Sequence, residues 1–136
     1  MPILEWKDEY SVGVEKIDNE HKRLVEMINT AHQSVDTLAD VKAVKALRAE
    51  MKRYATTHFA TEEMLMKEHD YPDADRHVAE HKRFLEQVKA ADVNFAADRI
   101  VPGTIKILSF LADWLVKHIL QTDMQLGTYL KEKGVK

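Results

Sequence analysis

The sequence predicts an all-α protein, an up-down-up-down antiparallel four-helix bundle with an N-terminal arm. Apolar residues recur at three- and four-residue steps in four segments, which is the period of an amphipathic helix. Only four glycines and three prolines occur, and no strand-like alternation competes with the helical pattern. Links between the segments are mostly short, which favours antiparallel neighbours. We expect a single domain over residues 1–136, because a chain of this length with 45% hydrophobic residues can bury one sizeable core.

The N-terminal arm is expected over residues 1–16, ahead of the first amphipathic segment. The first helix is predicted over residues 18–38, where Leu24 and Ile28 share a face with a histidine. The stretch TLADV is typical of a helix end followed by a new N-cap at Asp40. The second helix is therefore predicted over residues 41–69.

Turn residues separate the third and fourth helices from the rest of the chain. Pro72 and the aspartates of HDYPD mark a turn, so the third helix is expected over residues 73–91. A longer link, ADVNFAADRIVPG, leads into a fourth helix over residues 104–132. Gly134 is expected to end this last helix.

Polar residues interrupt the apolar face of every predicted helix. Residues four apart, such as His58 and Glu62 or His77 and His81, point to nearly the same side of a helix. The polar positions also lie at matched distances from the turns, so their side chains should meet at one level of the bundle. Five of the seven histidines and two carboxylates share these properties: His21, His58, Glu62, His77, His81, His118 and Asp123.

The spacing of His118 and Asp123 does not fit a regular helix. Five residues separate the pair by about 140°, whereas a four-residue step would separate it by about 40°. Two explanations are open: Asp123 approaches the cluster from the flank, or the helix contains a local π-type bulge. Such bulges occur frequently at functional sites.

A cluster of this composition is typical of a metal site. One histidine on a helix face is far more often a core or surface residue than a ligand, and each four-residue step alone is a weak signal. Seven coincident positions favour coordination, because buried histidines without partners would reduce stability. His32 and His69 each lie about 16 Å along the axis from a cluster residue, so neither is expected to bind metal.

Seven ligands exceed the needs of one ion, which predicts two ions roughly 3.5 Å apart. Glu62 and Asp123 are the expected bridges, since their charge decreases the repulsion between buried cations. Imidazole and carboxylate suit iron, zinc, manganese or copper, and a chain without cysteine offers no thiolate ligand. The glutamates beside the site, Glu20, Glu63 and Glu80, are expected on solvated faces, with a hydrogen bond to a ligand imidazole as the less favoured alternative.

The composition gives no support to two classes of partner, nucleic acids and membranes. With 20 basic and 23 acidic residues the net charge is −3, which gives nucleic-acid binding no electrostatic support. No apolar run approaches the roughly 18 residues of a membrane span, and the start MPILEWKDEY does not resemble a secretory signal. We therefore expect a cytoplasmic protein. The absence of cysteine is compatible with a reducing compartment.

Four segments resemble the signature segments of the hemerythrins, specifically the single-domain bacterial hemerythrins. They are VGVEKIDNEHKRLVEMIN, HFATEEMLM, HVAEHKRF and WLVKHILQTD, and the resemblance covers almost the whole chain. All seven ligand positions of the family are occupied in order, including the five-residue step before Asp123. Myohemerythrin is itself an example of the four-helix bundle.

The resemblance implies reversible binding of dioxygen at two iron ions. It implies that His77, His81 and His118 hold the first iron, and that His21 and His58 hold the second, which is one ligand short. Glu62, Asp123 and an oxo or hydroxo group would bridge the two irons. It further implies an oxygen pocket lined by Leu24, Phe59, Trp114 and Leu115. Such a dry apolar wall limits side reactions.

The donor set favours an oxygen carrier, storage or delivery protein over an enzyme. Oxygen-activating di-iron enzymes in related bundles use four carboxylates and two histidines with Glu-x-x-His steps, whereas this chain offers five histidines and two carboxylates. Sensing of oxygen or nitric oxide, detoxification and iron handling stay open as alternatives. We expect a monomer whose ligand is dioxygen, with an oxygen-consuming partner enzyme that the sequence does not identify.

Overall fold

The computed structural model describes residues 4–35, 41–93 and 100–136. Three helices, α1 (Glu15–Val35), α2 (Val41–Glu68) and α3 (Ala74–Val93), precede a fourth that has three parts. These parts are α4 (Ile100–Lys117), a π-helical segment (His118–Asp123) and α5 (Met124–Glu132). No strand occurs in the described ranges, and the predicted all-α four-helix bundle is confirmed. Helix α1 packs against α2 and α4, and α2 packs against α3.

The N-terminal arm is fixed to α1 by hydrogen bonds with the side chains of Asp18 and Asn29. The carboxylate of Asp18 accepts the Val12 N–H at 2.8 Å and the Ser11 hydroxyl at 2.5 Å. Leu4 and Asn29 exchange two further hydrogen bonds, of 3.0 and 2.6 Å. Because these bonds satisfy polar backbone groups, the arm can bury its apolar residues against the bundle.

Helix limits differ from the expected ones by a few residues at two starts. Helix α1 starts at Glu15, because the Asp18 N–H already donates to the Val14 carbonyl at 2.9 Å. Helix α4 starts at Ile100 and includes Pro102 in its first turn, where a missing N–H removes no intrahelical bond. The predicted N-cap at Asp40 and residues 1–3, 36–40 and 94–99 lie outside the described residues.

Two left-handed residues end the helices that flank the site. Asp70, at a φ of 50°, follows α2 and lets the Tyr71 N–H donate to the Met66 carbonyl at 2.9 Å. Gly134, at a φ of 85°, follows α5, and the next N–H donates to the Leu130 carbonyl at 3.0 Å. The prediction that Gly134 ends the last helix is confirmed. Within the described ranges, no helix has the length and apolar character that crossing a membrane requires.

Candidate metal centre

The structure brings all seven predicted ligand residues together inside the bundle. None of their side chains is more than 3% exposed. Each bundle helix contributes at least one of them, so the cluster forms only when the helices pack. In chain order they are His21 on α1, His58 and Glu62 on α2, His77 and His81 on α3, and His118 and Asp123 at the two ends of the π-helical segment.

The donor atoms fall into two overlapping groups, within each of which they lie no more than 4.8 Å apart. Both carboxylates belong to both groups. The larger group consists of Glu62, His77, His81, His118 and Asp123, and the smaller of His21, His58, Glu62 and Asp123. Each group offers enough nitrogen and oxygen atoms for one cation, and the shared carboxylates place the two positions side by side. His32 and His69 belong to neither group.

Asp123 faces the two groups with different oxygens. Its Oδ2 lies 2.9 Å from His21 Nε2 in the smaller group. Its Oδ1 lies 3.0 Å from both His77 Nε2 and His118 Nε2 in the larger group. A carboxylate in this orientation can bind one cation through each oxygen. On the other side of the cluster, Glu62 Oε1 lies 3.1 Å from His81 Nε2.

The five-residue step is explained by a π-helical turn from His118 to Asp123. In this segment the backbone bonds span five residues rather than four, as in the bond from the Met124 N–H to the Ile119 carbonyl. A five-residue step then returns to nearly the same side of the helix, which directs both side chains into the cluster. The π-bulge alternative is confirmed, and the flank alternative is wrong.

Two glutamates that were expected on solvated faces instead hold cluster imidazoles. The Nδ1–H of His58 donates to Glu20 Oε1 at 2.7 Å, and the Nδ1–H of His118 donates to Glu80 Oε1 at 3.2 Å. For Glu20 and Glu80 the favoured expectation is therefore wrong, and the less favoured alternative, a hydrogen bond to an imidazole of the cluster, is what the structure shows. Carboxylates in this position fix the tautomer and orientation of a ligand imidazole. Glu63 remains 38% exposed and forms no hydrogen bond with an imidazole of the described residues.

The pKa values of the two central carboxylates, Glu62 and Asp123, are shifted in opposite directions. Burial, together with the nearby charge of Asp123, raises the pKa of Glu62 well above its usual range. Burial acts on Asp123 in the same direction, but the charge of His118 and the close contacts of the carboxylate with the imidazoles of His118, His21 and His77 outweigh it and lower the pKa of Asp123. Two buried carboxylates so close together repel each other. A cation between them would favour the ionised form of both.

Burial favours neutral imidazoles in much of the cluster. Burial and the neighbouring imidazoles His77 and His118 lower the pKa of His81 to about 2. Burial also lowers the pKa of His58, despite its hydrogen bond to a carboxylate. For His118, burial is outweighed by the charge of Asp123, which raises the pKa. A neutral imidazole has the free lone pair that a metal ion requires.

The cluster fits a pair of cations because most of its donor atoms lack a hydrogen-bond partner. Within the described residues, every buried side-chain nitrogen or oxygen without a hydrogen bond belongs to the seven cluster residues, and both carboxylates contribute both oxygens. Each such atom costs about 1–3 kcal/mol if it is left unpaired. Nitrogen and oxygen donors without thiolates suit first-row ions such as iron, zinc or manganese.

An apolar cavity of about 60 Å³ adjoins the cluster. The ring of Phe59 stacks on His81 at 3.9 Å between centroids, and the ring of Trp114 stacks on His118 at 4.4 Å. The cavity extends from these rings along the bundle core to Met51 and Val88. All four residues expected to line a pocket lie in the wall of this cavity: Leu24, Phe59, Trp114 and Leu115.

The fold and the site define a four-helix bundle protein with an interior cation centre of imidazoles and carboxylates. Residues 12–130 match the family described as the hemerythrin HHE cation binding domain. The chain therefore belongs to the hemerythrin family.

Named relatives and a solved structure agree with this assignment. The bacteriohemerythrin of Stenotrophomonas maltophilia (strain R551-3) is 31% identical over 131 residues, which cover 96% of this chain and 84% of that protein. The bacteriohemerythrin of Pseudomonas paraeruginosa (strain DSM 24068 / PA7) is 36% identical over 123 residues, with coverages of 90% and 78%. A crystal structure of wild-type hemerythrin superposes with a TM-score of 0.79 at 26% identity, covering 93% of this chain and 97% of that one.

Proposed function

We propose that the protein binds dioxygen reversibly at a non-haem di-iron centre and serves in oxygen carriage, storage or delivery. The observation that supports this most directly is the pair of overlapping donor groups, which share two carboxylates and adjoin an apolar cavity. Membership of the hemerythrin family supports iron as the metal. We expect the protein to act as a monomer.

The proposed ligands divide between the two irons according to the two donor groups. The larger group offers three imidazoles and the smaller group two, in addition to the shared carboxylates. We therefore expect the open coordination position on the side of His21 and His58. When bound, the iron pair, with its oxo or hydroxo bridge, supplies the redox chemistry toward dioxygen, and the protein supplies ligands and surroundings.

The chain itself holds the ligands and keeps water away from them. Glu20 and Glu80 fix two imidazoles with the Nε2 atoms directed into the cluster. Leu24, Phe59 and Leu115 line the adjoining cavity and carry no proton donor on their side chains. Exclusion of water and protons slows irreversible oxidation, so this wall favours release of unchanged dioxygen.

The ligand set supports binding rather than catalysis. Five imidazoles and two carboxylates surround the centre. Di-iron enzymes that activate oxygen carry more carboxylates, and anionic oxygen donors favour higher oxidation states of iron. We therefore propose an oxygen-binding protein that transforms no substrate.

The absorption spectrum of the iron-loaded protein tests the proposal. Protein reconstituted with iron and reduced with dithionite is exposed to air and then returned to argon. We expect a visible band that appears with oxygen and disappears on its removal, at two irons per chain as two metal positions require. Direct conversion to a stable oxidised spectrum would contradict reversible binding and favour the detoxification alternative.

Leu115→Ala is expected to accelerate autoxidation while iron stays bound. The substitution opens the cavity wall beside Trp114 and admits water. A decrease of about 1 kcal/mol in the barrier corresponds to a roughly fivefold faster decay of the oxygenated spectrum. Leu130→Ala is the matched control, because Leu130 is fully buried but does not line the cavity. An unchanged rate in Leu115→Ala, or equal acceleration in both variants, would mean that Leu115 does not exclude water from the metal centre.

A further inference from the structure

The hydroxyl of Thr122 contacts a carboxylate that holds a cluster imidazole. Thr122 Oγ1 lies 2.9 and 3.0 Å from the two carboxylate oxygens of Glu80. Glu80 in turn accepts the Nδ1–H of His118 at 3.2 Å. The contacts thus run from the π-helical segment to α3 and back to the first residue of the same segment.

Thr122 differs from the other helical threonines whose hydrogen bonds are described. Their hydroxyls all donate to the carbonyl four residues earlier, at 2.9 to 3.2 Å, which is the usual pattern for a threonine within a helix. For Thr122 that carbonyl belongs to His118, at the start of the π-helical segment. No bond to this carbonyl is described for Thr122, whose hydroxyl donates to Glu80 instead. The four other threonines are Thr56, Thr57, Thr61 and Thr128.

The π-helical segment also corrects a difference in register between α2 and the fourth helix. In both helices a threonine directly precedes the shared carboxylate, as Thr61 precedes Glu62 and Thr122 precedes Asp123. The threonine lies three residues after the cluster histidine in α2 but four residues after it in the fourth helix. The wider turn absorbs this extra residue. It therefore positions Thr122 as well as Asp123.

The two glutamates depend on their threonines to different degrees. Glu20 has a short bond of 2.7 Å to His58 and an ion pair of 3.5 Å with Lys16, while its contact with Thr61 is long, at 3.4 Å. Among the described residues, Glu80 has no lysine or arginine partner, and its contacts are His118 and Thr122. Removing the hydroxyl should therefore release Glu80 but leave Glu20 in place.

We propose that Thr122 is a positioning residue for the metal centre. Its hydroxyl fixes the carboxylate of Glu80, and Glu80 fixes the ring of His118 with Nε2 directed into the cluster. The proposal rests on the proposed function only in taking His118 as a metal ligand. Loss of a carboxylate that orients a ligand imidazole typically changes metal affinity by roughly 10–100-fold. Thr122 acts one contact further away, so its loss should have a smaller effect.

Release of iron to a chelator tests this role. Thr122→Val removes the hydroxyl and keeps the branched shape, and iron loss to excess ferrozine is followed under argon in the reduced protein. We expect release about fivefold faster than wild type, below the roughly tenfold or greater effect of losing a direct partner. Thr122→Ser should restore the wild-type rate. Thr61→Val and the exposed Thr128→Val are matched controls, expected to stay within about twofold of wild type.

The imidazole proton provides a second measurement that a general loss of packing would not reproduce. Exchange of the His118 Nδ1–H with solvent, followed by proton NMR in the iron-loaded protein, should be faster in Thr122→Val and normal in Thr128→Val. Wild-type release and exchange in Thr122→Val, or equal effects in Thr61→Val and Thr122→Val, would overturn the proposal. Neither measurement requires oxygen. An absent oxygen band in the wild type would therefore refute reversible binding without altering this result.

Discussion

His118→Ala is expected to abolish oxygen binding and to lower the iron content below two per chain, the content that two metal positions require. The imidazole Nε2 lies 3.0 Å from Asp123 Oδ1, inside the larger donor group. Its removal takes away one of three imidazoles and leaves the carboxylate of Glu80 without its imidazole partner. Metal analysis after reconstitution and the absorption spectrum in air measure both effects.

Two further histidine variants are compared with His118→Ala: one in the smaller donor group and one control outside the cluster. His58→Ala removes an imidazole from the smaller group and should also reduce the iron content. His32→Ala should change neither iron content nor spectrum, because His32 lies on α1 outside both groups. Normal iron content and a normal oxygenated spectrum in His118→Ala would refute the proposed ligand assignment.

Gly127→Ala is expected to destabilise the protein by about 2 kcal/mol through overpacking. An added Cβ would meet the backbone carbonyl oxygen of Val12 and lie 2.7 Å from the Val12 Cβ. The arm is fixed to α1, so its backbone cannot move away easily. In an exposed helix the same substitution would instead gain about 1 kcal/mol. The thermal midpoint of the iron-loaded protein should therefore fall by roughly 5–10 °C.

Gly134→Ala separates the effect of contact from the effect of backbone conformation. Gly134 has a φ of +85°, but an added Cβ there meets no described atom within 4 Å. The expected loss is therefore only the strain of a left-handed residue, about 1 kcal/mol. If the midpoint of Gly127→Ala falls no further than that of Gly134→Ala, close packing of the arm against α5 is not what requires glycine.

The sequence by itself determined the helical class and which seven polar residues converge. Both depend on periodicity along single helices, and periodicity is a local property. His58 and Glu62 share a face because they are four residues apart, and no tertiary contact is needed to infer it. The end of the last helix was equally predictable, because Gly134 adopts a left-handed conformation more readily than other residues.

Only the tertiary structure decided how the fourth helix presents Asp123. The five-residue step after His118 is compatible with a displaced ligand or with a π-helical turn. The choice depends on packing against the other helices, which favours the turn that buries both side chains. The start of α4 at Ile100 was missed for a related reason, since Pro102 resembles a link residue unless its place in the first turn is known.

The partners of the cluster imidazoles also came from the tertiary structure. Glu20 and Glu80 each precede a cluster histidine in the sequence, and this repeated Glu-His pair was the available signal. Each glutamate points away from its own neighbour and bonds an imidazole of the next helix. Periodicity gives the direction of a side chain from its own helix axis but not what lies opposite. Contacts between helices depend on the axial offset and rotation of both helices, which packing alone determines.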